Sequence, residues 1–134
     1  MTHNSSSQLA ILIGAPHKDQ TSMHHDLVAM YEALHERGLA ADQILCLEGK
    51  LDRRLLLGFL EAIGQRIASW TEGALFFYVT GHGFFTGENA ADASIGVELQ
   101  PTEELTPAVH VYWGELFEAL AVPAGVQMLL LPDH

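Results

Sequence analysis

Cysteine is nearly missing from this 134-residue chain. With Cys46 alone, no internal disulfide can form, so stability must come from a packed core. Basic residues are also scarce: six Lys and Arg stand against 17 Asp and Glu, a formal net charge of -11. That balance argues against nucleic acid or an anionic membrane as partner, since both select basic patches. It permits a basic partner or substrate, although solubility alone accounts for much of such a charge. No apolar run approaches the ~20 residues of a membrane span. Residues 1–7 (MTHNSSS) lack the basic-then-apolar pattern of a signal peptide. The expected compartment is therefore the cytoplasm. The loop Gly14-Ala15-Pro16-His17-Lys18 is not a glycine-rich phosphate cradle, which weighs against a flavodoxin-like nucleotide or phosphate binder.

What is present is apolar and regularly spaced. Hydrophobic residues make up 49% and charged residues 17% of the chain, the balance of a compact globular protein. The length suggests one domain, burying roughly two-thirds of its unfolded-chain surface. Residues 1–8 are polar and expected to be disordered, leaving 9–134 as the folded domain.

Four short apolar runs read as buried strands: Leu9–Gly14, Gln43–Leu47, Ala74–Thr80 and Val126–Leu131. Between them lie helical patterns. Leu27, Met30, Tyr31 and Leu34 fit a helix over 22–37, stopped by Gly38. Asp52 can cap a second helix presenting Leu56, Phe59, Leu60, Ile63, Ile67 and Trp70 on one face. Trp113, Leu116, Phe117 and Leu120 mark a third. Residues 84–111, with β-prone pieces at Ser94–Leu99 and Ala108–Tyr112, read as a hairpin-like excursion. Alternation of this kind predicts an α/β fold, a mostly parallel four-strand sheet with helices on both faces.

In such sheets catalytic groups gather beyond the carboxyl ends of the strands. There the sequence places Glu48-Gly49, Gly81-His82-Gly83 and Pro132-Asp133-His134. His82 stands out. An imidazole between two glycines, directly after a buried strand, can act as general acid or base near neutral pH. The glycines Gly81 and Gly83 would allow unusual backbone angles and close approach of neighbouring chain.

The stretch Leu75-Phe76-Phe77-Tyr78-Val79-Thr80-Gly81-His82-Gly83 resembles the histidine strand of the caspase and metacaspase superfamily of cysteine peptidases. Asp26–Leu34 with Gly38 resembles that family's first helix, Ile44–Leu47 its second strand, and Val126–Leu131 leading to Asp133 the strand before its nucleophile. The resemblance covers residues 9–134, an incomplete, large-subunit-like part of a caspase-like three-layer sandwich. It implies a Cys/His dyad in which a thiolate attacks the peptide carbonyl, backbone N–H groups hold the oxyanion, and His82 protonates the leaving amine.

The family's pattern then breaks. Its strand normally ends in an acid, a small residue and the cysteine, whereas this chain reads Leu131-Pro132-Asp133-His134. If Asp133 is the acid, the cysteine would follow His134. If His134 fills the cysteine place, the nucleophile has been replaced. Either way no thiol stands at the site, and Cys46 reads as a buried apolar residue of another strand. The chain as written is expected to be inactive, and a non-catalytic binding or regulatory module is the alternative. A proline at the end of a central strand is itself unusual.

The resemblance further implies that Asp26, Asp133 and Thr80 form an acidic pocket favouring Arg or Lys at the cleaved position of a protein or peptide substrate. For Asp26 the plainer reading is a charge complementing the start of its helix. His24 and His25, with His17 nearby, read as a solvated helix start rather than metal ligands. No cofactor is expected. Calcium acts through acidic loops in metacaspase relatives, and Glu88, Asp92, Glu98, Glu103 and Glu104 make 84–111 acidic, but the family's calcium residues do not match here. The sheet is expected to end in an open edge strand that pairs with a missing C-terminal half or a second subunit.

Overall fold

The computed structural model describes residues 7–15, 21–87, 94–100, 102 and 104–133. Seven strands and three α-helices follow one another: β1 (Gln8–Gly14), α1 (Thr21–Glu36), β2 (Ile44–Glu48), α2 (Arg53–Ile67), β3 (Gly73–Thr80), β4 (His82–Thr86), β5 (Ser94–Glu98), β6 (His110–Tyr112), α3 (Trp113–Leu120) and β7 (Val126–Asp133). Four strands make a sheet in the order β2-β1-β3-β7, with every neighbouring pair parallel. The other three make a small antiparallel sheet, β4-β5-β6.

Side-chain alternation along the strands separates two cores. Leu9, Ile11 and Ile13 of β1 and Leu75, Phe77 and Val79 of β3 face one side, where they pack with Leu56, Leu60, Ile63 and Ile67 of α2 and Leu116 and Leu120 of α3. Ala10, Leu12 and Tyr78 face the other side, against Leu27 and Leu34 of α1. β1 is covered on both faces, which is why it reads as an unbroken apolar run. The expected parallel four-strand sheet with helices on both faces is thus what forms.

Local signals explain the helix ends. Asp52 accepts a bond from the backbone N–H of Leu55 at 2.8 Å and so caps α2. After α1, Gly38 takes φ 108°. Its N–H and that of Leu39 close back on the carbonyls of His35 and Leu34, the paired bonds of a left-handed helix stop. α2 and α3 approach closely because Gly64 lacks a side chain: a Cβ there would stand 2.5 Å from the carbonyl oxygen of Leu120.

Five expectations need correction. A strand not expected from the sequence, β4, begins at His82 itself and runs into the excursion. Its flanking glycines and poor alternation hid that strand. Cys46 is exposed rather than buried, because β2 is an outer strand of the sheet. Pro132 does not lie in a central strand either: β7 is the opposite edge strand of the described sheet, where a missing N–H costs little. The strand also runs two residues further than its apolar run, through Asp133. Gln8 already belongs to β1, whereas residues 1–6 of the expected disordered start lie outside the described residues.

α1 covers β1, β2 and the near part of β3 but leaves β7 bare on its face. Leu129 is 57% exposed and Leu131 38%. Beside them runs a cavity of about 760 Å³ lined by residues including Leu34, Leu39, Phe76, Gln127 and Leu129. No helix among the described residues is long and apolar enough to cross a membrane.

Candidate functional site

Parallel pairing brings the strand ends into one row. Gly14 lies in register with Glu48 on one side and Thr80 on the other, and Thr80 lies in register with Asp133. Neighbouring strands stand ~4.8 Å apart. The pairing extends past the strands, with the Ala15 N–H donating to the Thr80 carbonyl at 2.9 Å. The carboxyl ends of β3 and β7 are therefore adjacent, the arrangement a joint action of groups after Thr80 and near Asp133 requires. Thr80 is buried. His134 lies outside the described residues.

One residue, Gly81, joins β3 of the large sheet to β4 of the small one. Neither Gly81 nor Gly83 has positive φ, so unusual backbone angles are not their reason. At Gly81 the reason is space: a Cβ would stand 3.2 Å from both the Cβ and the carbonyl oxygen of Ala15 and 3.3 Å from Val97 Cγ1. His82 follows at once and is exposed, open to solvent beside the strand-end row.

β4 then lays His82 across β5. His82 is the register partner of Glu98, and Glu98 is the register partner of His110. Directly opposed residues of an antiparallel sheet share a face, with Cβ atoms ~4.5–5.5 Å apart. His82, Glu98 and His110 thus form one row. Glu98, in the middle, and His110 are buried, at 8% and 5% exposure. His110 Nε2 lies 3.2 Å from Glu98 Oε2, and its Nδ1 lies 2.9 Å from the carbonyl oxygen of Thr106. Phe84, two residues from His82, sets its ring edge-on to His110 with centroids 4.9 Å apart and reaches Tyr112 at 5.2 Å.

The small sheet is fastened to the main body at several points. The Arg53 N–H donates to the Ala108 carbonyl at 2.8 Å, and Gln100 Nε2 to the Leu51 carbonyl at 2.7 Å. The Arg53 guanidinium forms a two-pronged pair with the Glu115 carboxylate, which also accepts from the Tyr112 N–H at 3.1 Å. On its other face Val97 and Val111 enter the α2/α3 core.

The remaining candidates are dispersed. Asp26 is exposed on the second turn of α1, beyond the first turn where a helix-start charge acts. It lines a shallow cavity of about 360 Å³ with Ala29, Met30, Ala33 and Tyr78. Tyr78 and Thr80 share a strand face, so Asp26 stands on the same side of the sheet as Thr80. One polar contact has no counterpart in the sequence pattern: His24 Nδ1 lies 3.0 Å from both carboxylate oxygens of Glu48. Cys46, two residues before Glu48, has its thiol pushed above the ordinary range, by desolvation first and by the Glu48 charge second.

No group of three or more His, Cys, Asp or Glu suited to a metal ion occurs among the described residues. Of the acidic residues weighed for calcium, Glu98 is a buried strand residue paired with His110 and Glu104 is exposed. Glu88, Asp92 and Glu103 lie outside the described residues, as does His17. The row of His82, Glu98 and His110 was not legible in advance, since only the β4/β5/β6 register reveals it.

The chain matches no protein-family model, and no curated protein matches it significantly. What stands is the class the coordinates define: an α/β domain with a parallel four-strand sheet, a small antiparallel sheet, and an exposed histidine at their junction.

Proposed function

We propose that this chain is the histidine-bearing part of a caspase-like cysteine endopeptidase domain. In this reading His82 is the acid–base partner of a thiol placed directly after β7. The observation that carries it is the adjacency of β3 and β7, with Thr80 in register with Asp133 and His82 two residues beyond Thr80. An imidazole there can deprotonate a thiol arriving from the neighbouring strand and then protonate the leaving amine. Gly81 and Gly83 flank the imidazole, and Asp26, Thr80 and Asp133 would supply the acidic side favouring Arg or Lys. No metal takes part in this chemistry.

The open edge of β7, with Leu129 and Leu131 bare beside it, suits a further strand from a C-terminal half or second subunit. One observation favours the alternative, a non-catalytic relative that works by binding: the single thiol, Cys46, lies on β2, two strands away from β3. The 134 residues therefore hold no nucleophile for His82.

Restoring a thiol tests the reading. Two forms are made, His134→Cys and the chain lengthened by one cysteine after His134, each in a Cys46→Ser background. At neutral pH one of the two should alkylate at least ten times faster than the free amino acid, and cleave peptides after Arg or Lys. Adding His82→Ala should remove that advantage. Ordinary thiol reactivity in both forms, unaffected by His82→Ala, would overturn the proposal.

A further inference from the structure

We infer that Glu98 is a positioning residue for His82: its carboxylate, braced from behind by His110, fixes which ring nitrogen of His82 carries the proton. The inference rests on reading His82 as an acid–base group, and it adds the element that such a group requires. A histidine works as an acid or base only when one nitrogen faces the reacting atom in the right protonation state, and the bond made by the other nitrogen sets this.

The register places a partner for that second bond beside the ring. His82 and Glu98 are directly opposed on one face of the small sheet, at a spacing their side chains can bridge. Glu98 is in turn opposed to His110, whose Nε2 lies 3.2 Å from Glu98 Oε2. A carboxylate has about four lone-pair sites over its two oxygens, so it can accept from an imidazole on each side. His110 is itself anchored, with Nδ1 2.9 Å from the Thr106 carbonyl oxygen. The Thr106 N–H also lies 3.0 Å from the same Nδ1, so the loop before β6 holds the ring in place behind the carboxylate.

Glu98 and His110 are both buried, and His110 also lines a cavity of about 480 Å³ with Arg53, Leu105, Pro107, Tyr112 and Glu115. Phe84 covers His110 from the next position along β4, and it can do so because Gly96 has no side chain in the path of its ring. His82, at the outer end of the row, stays exposed. Burying a carboxyl group requires compensating partners; His110 supplies one at Oε2, and His82 is the residue opposed to Glu98 on its other side.

The test is direct observation of the His82 ring nitrogens by NMR in the ¹⁵N-histidine-labelled full chain, above the pH at which the exposed imidazole is neutral. In the unmodified protein His82 should occupy a single tautomer, its two nitrogens widely separated in shift. In Glu98→Gln the two shifts should converge toward the averaged pair of a free histidine, and Glu98→Asp should restore much of the separation. A free-histidine mixture at His82 in the unmodified protein overturns the inference without any variant, so misfolding of Glu98→Gln cannot shelter it. A His82 pattern unmoved by Glu98→Gln, with only His110 changing, overturns it too, because the carboxylate would then serve His110 alone. The readout involves no thiol and no substrate. Failure of the peptidase reading in the alkylation assay therefore leaves it intact, and its own failure leaves that assay untouched.

Discussion

The ring of Phe84 lies across Gly96 so closely that a Cβ on that glycine would stand 2.6 Å from Phe84 Cε1, with the Val111 carbonyl oxygen closer still. Neither neighbour can yield easily. The first is wedged against His110 and Tyr112, and the second is backbone of the paired strand β6. Gly96→Ala should therefore destabilise the protein by about 2 kcal/mol or more, the upper part of the range for overpacking. It should also release the ring from His110. Chemical denaturation measures the first effect and the Phe84 ring signals the second. Unchanged stability would mean that the small sheet is much looser than its register indicates.

Two glycines in α2 make opposite predictions for one substitution. Gly58→Ala meets nothing within 4 Å and should stabilise the protein by about 0.5–1 kcal/mol through helix propensity. Gly64→Ala meets the Leu120 carbonyl oxygen at 2.5 Å and should destabilise it by about 1–3 kcal/mol by forcing α3 away. Thermal melts of the two variants side by side should move in opposite directions.

Asp52→Ala removes the side-chain acceptor of the Leu55 N–H at the start of α2. A loss of about 1 kcal/mol is expected, with Asp52→Asn close to neutral. Equal losses in both would show that charge, rather than the capping bond, is what the position supplies.

The raised thiol of Cys46 gives a pH prediction. Because desolvation and then the Glu48 charge disfavour the thiolate, the reactive form gains population only above the pH where an ordinary thiol ionises. Alkylation of Cys46 should be slower than that of a free thiol at neutral pH and should climb at higher pH. Glu48→Gln removes the second cause alone, so the profile should move part of the way back toward ordinary values.

The main sheet was legible because its information is local. Leu9, Ile11 and Ile13 alternate with Ala10 and Leu12 in a short run apolar on both faces and ended by Gly14, which together read as a strand. Asp52 and Gly38 announce helix ends by their own chemistry. The small sheet was not legible to the same degree. In β4 the glycines on either side of His82 signal a turn, and the aromatic pair Phe84-Phe85 does not alternate in polarity. Only pairing with β5 makes it a strand. Register was hidden for the same reason: nothing local to His82, Glu98 or His110 says that they are opposite one another. His24 and Glu48 met across 24 residues without any pattern linking them. Cys46 was misjudged because an apolar run does not say whether its strand is inner or outer.

The passage from β3 to β4 takes a single residue. Gly81 is hemmed in by Ala15 and Val97, so the joint is short and also tightly seated. A connection of that kind works like a rigid coupling between two shafts: with no slack loop to absorb rotation, a twist of β3 at Thr80 is handed directly to His82. A shift of the carboxyl end of β3 would therefore carry the imidazole with it, since Gly81 is the one residue between the two strands.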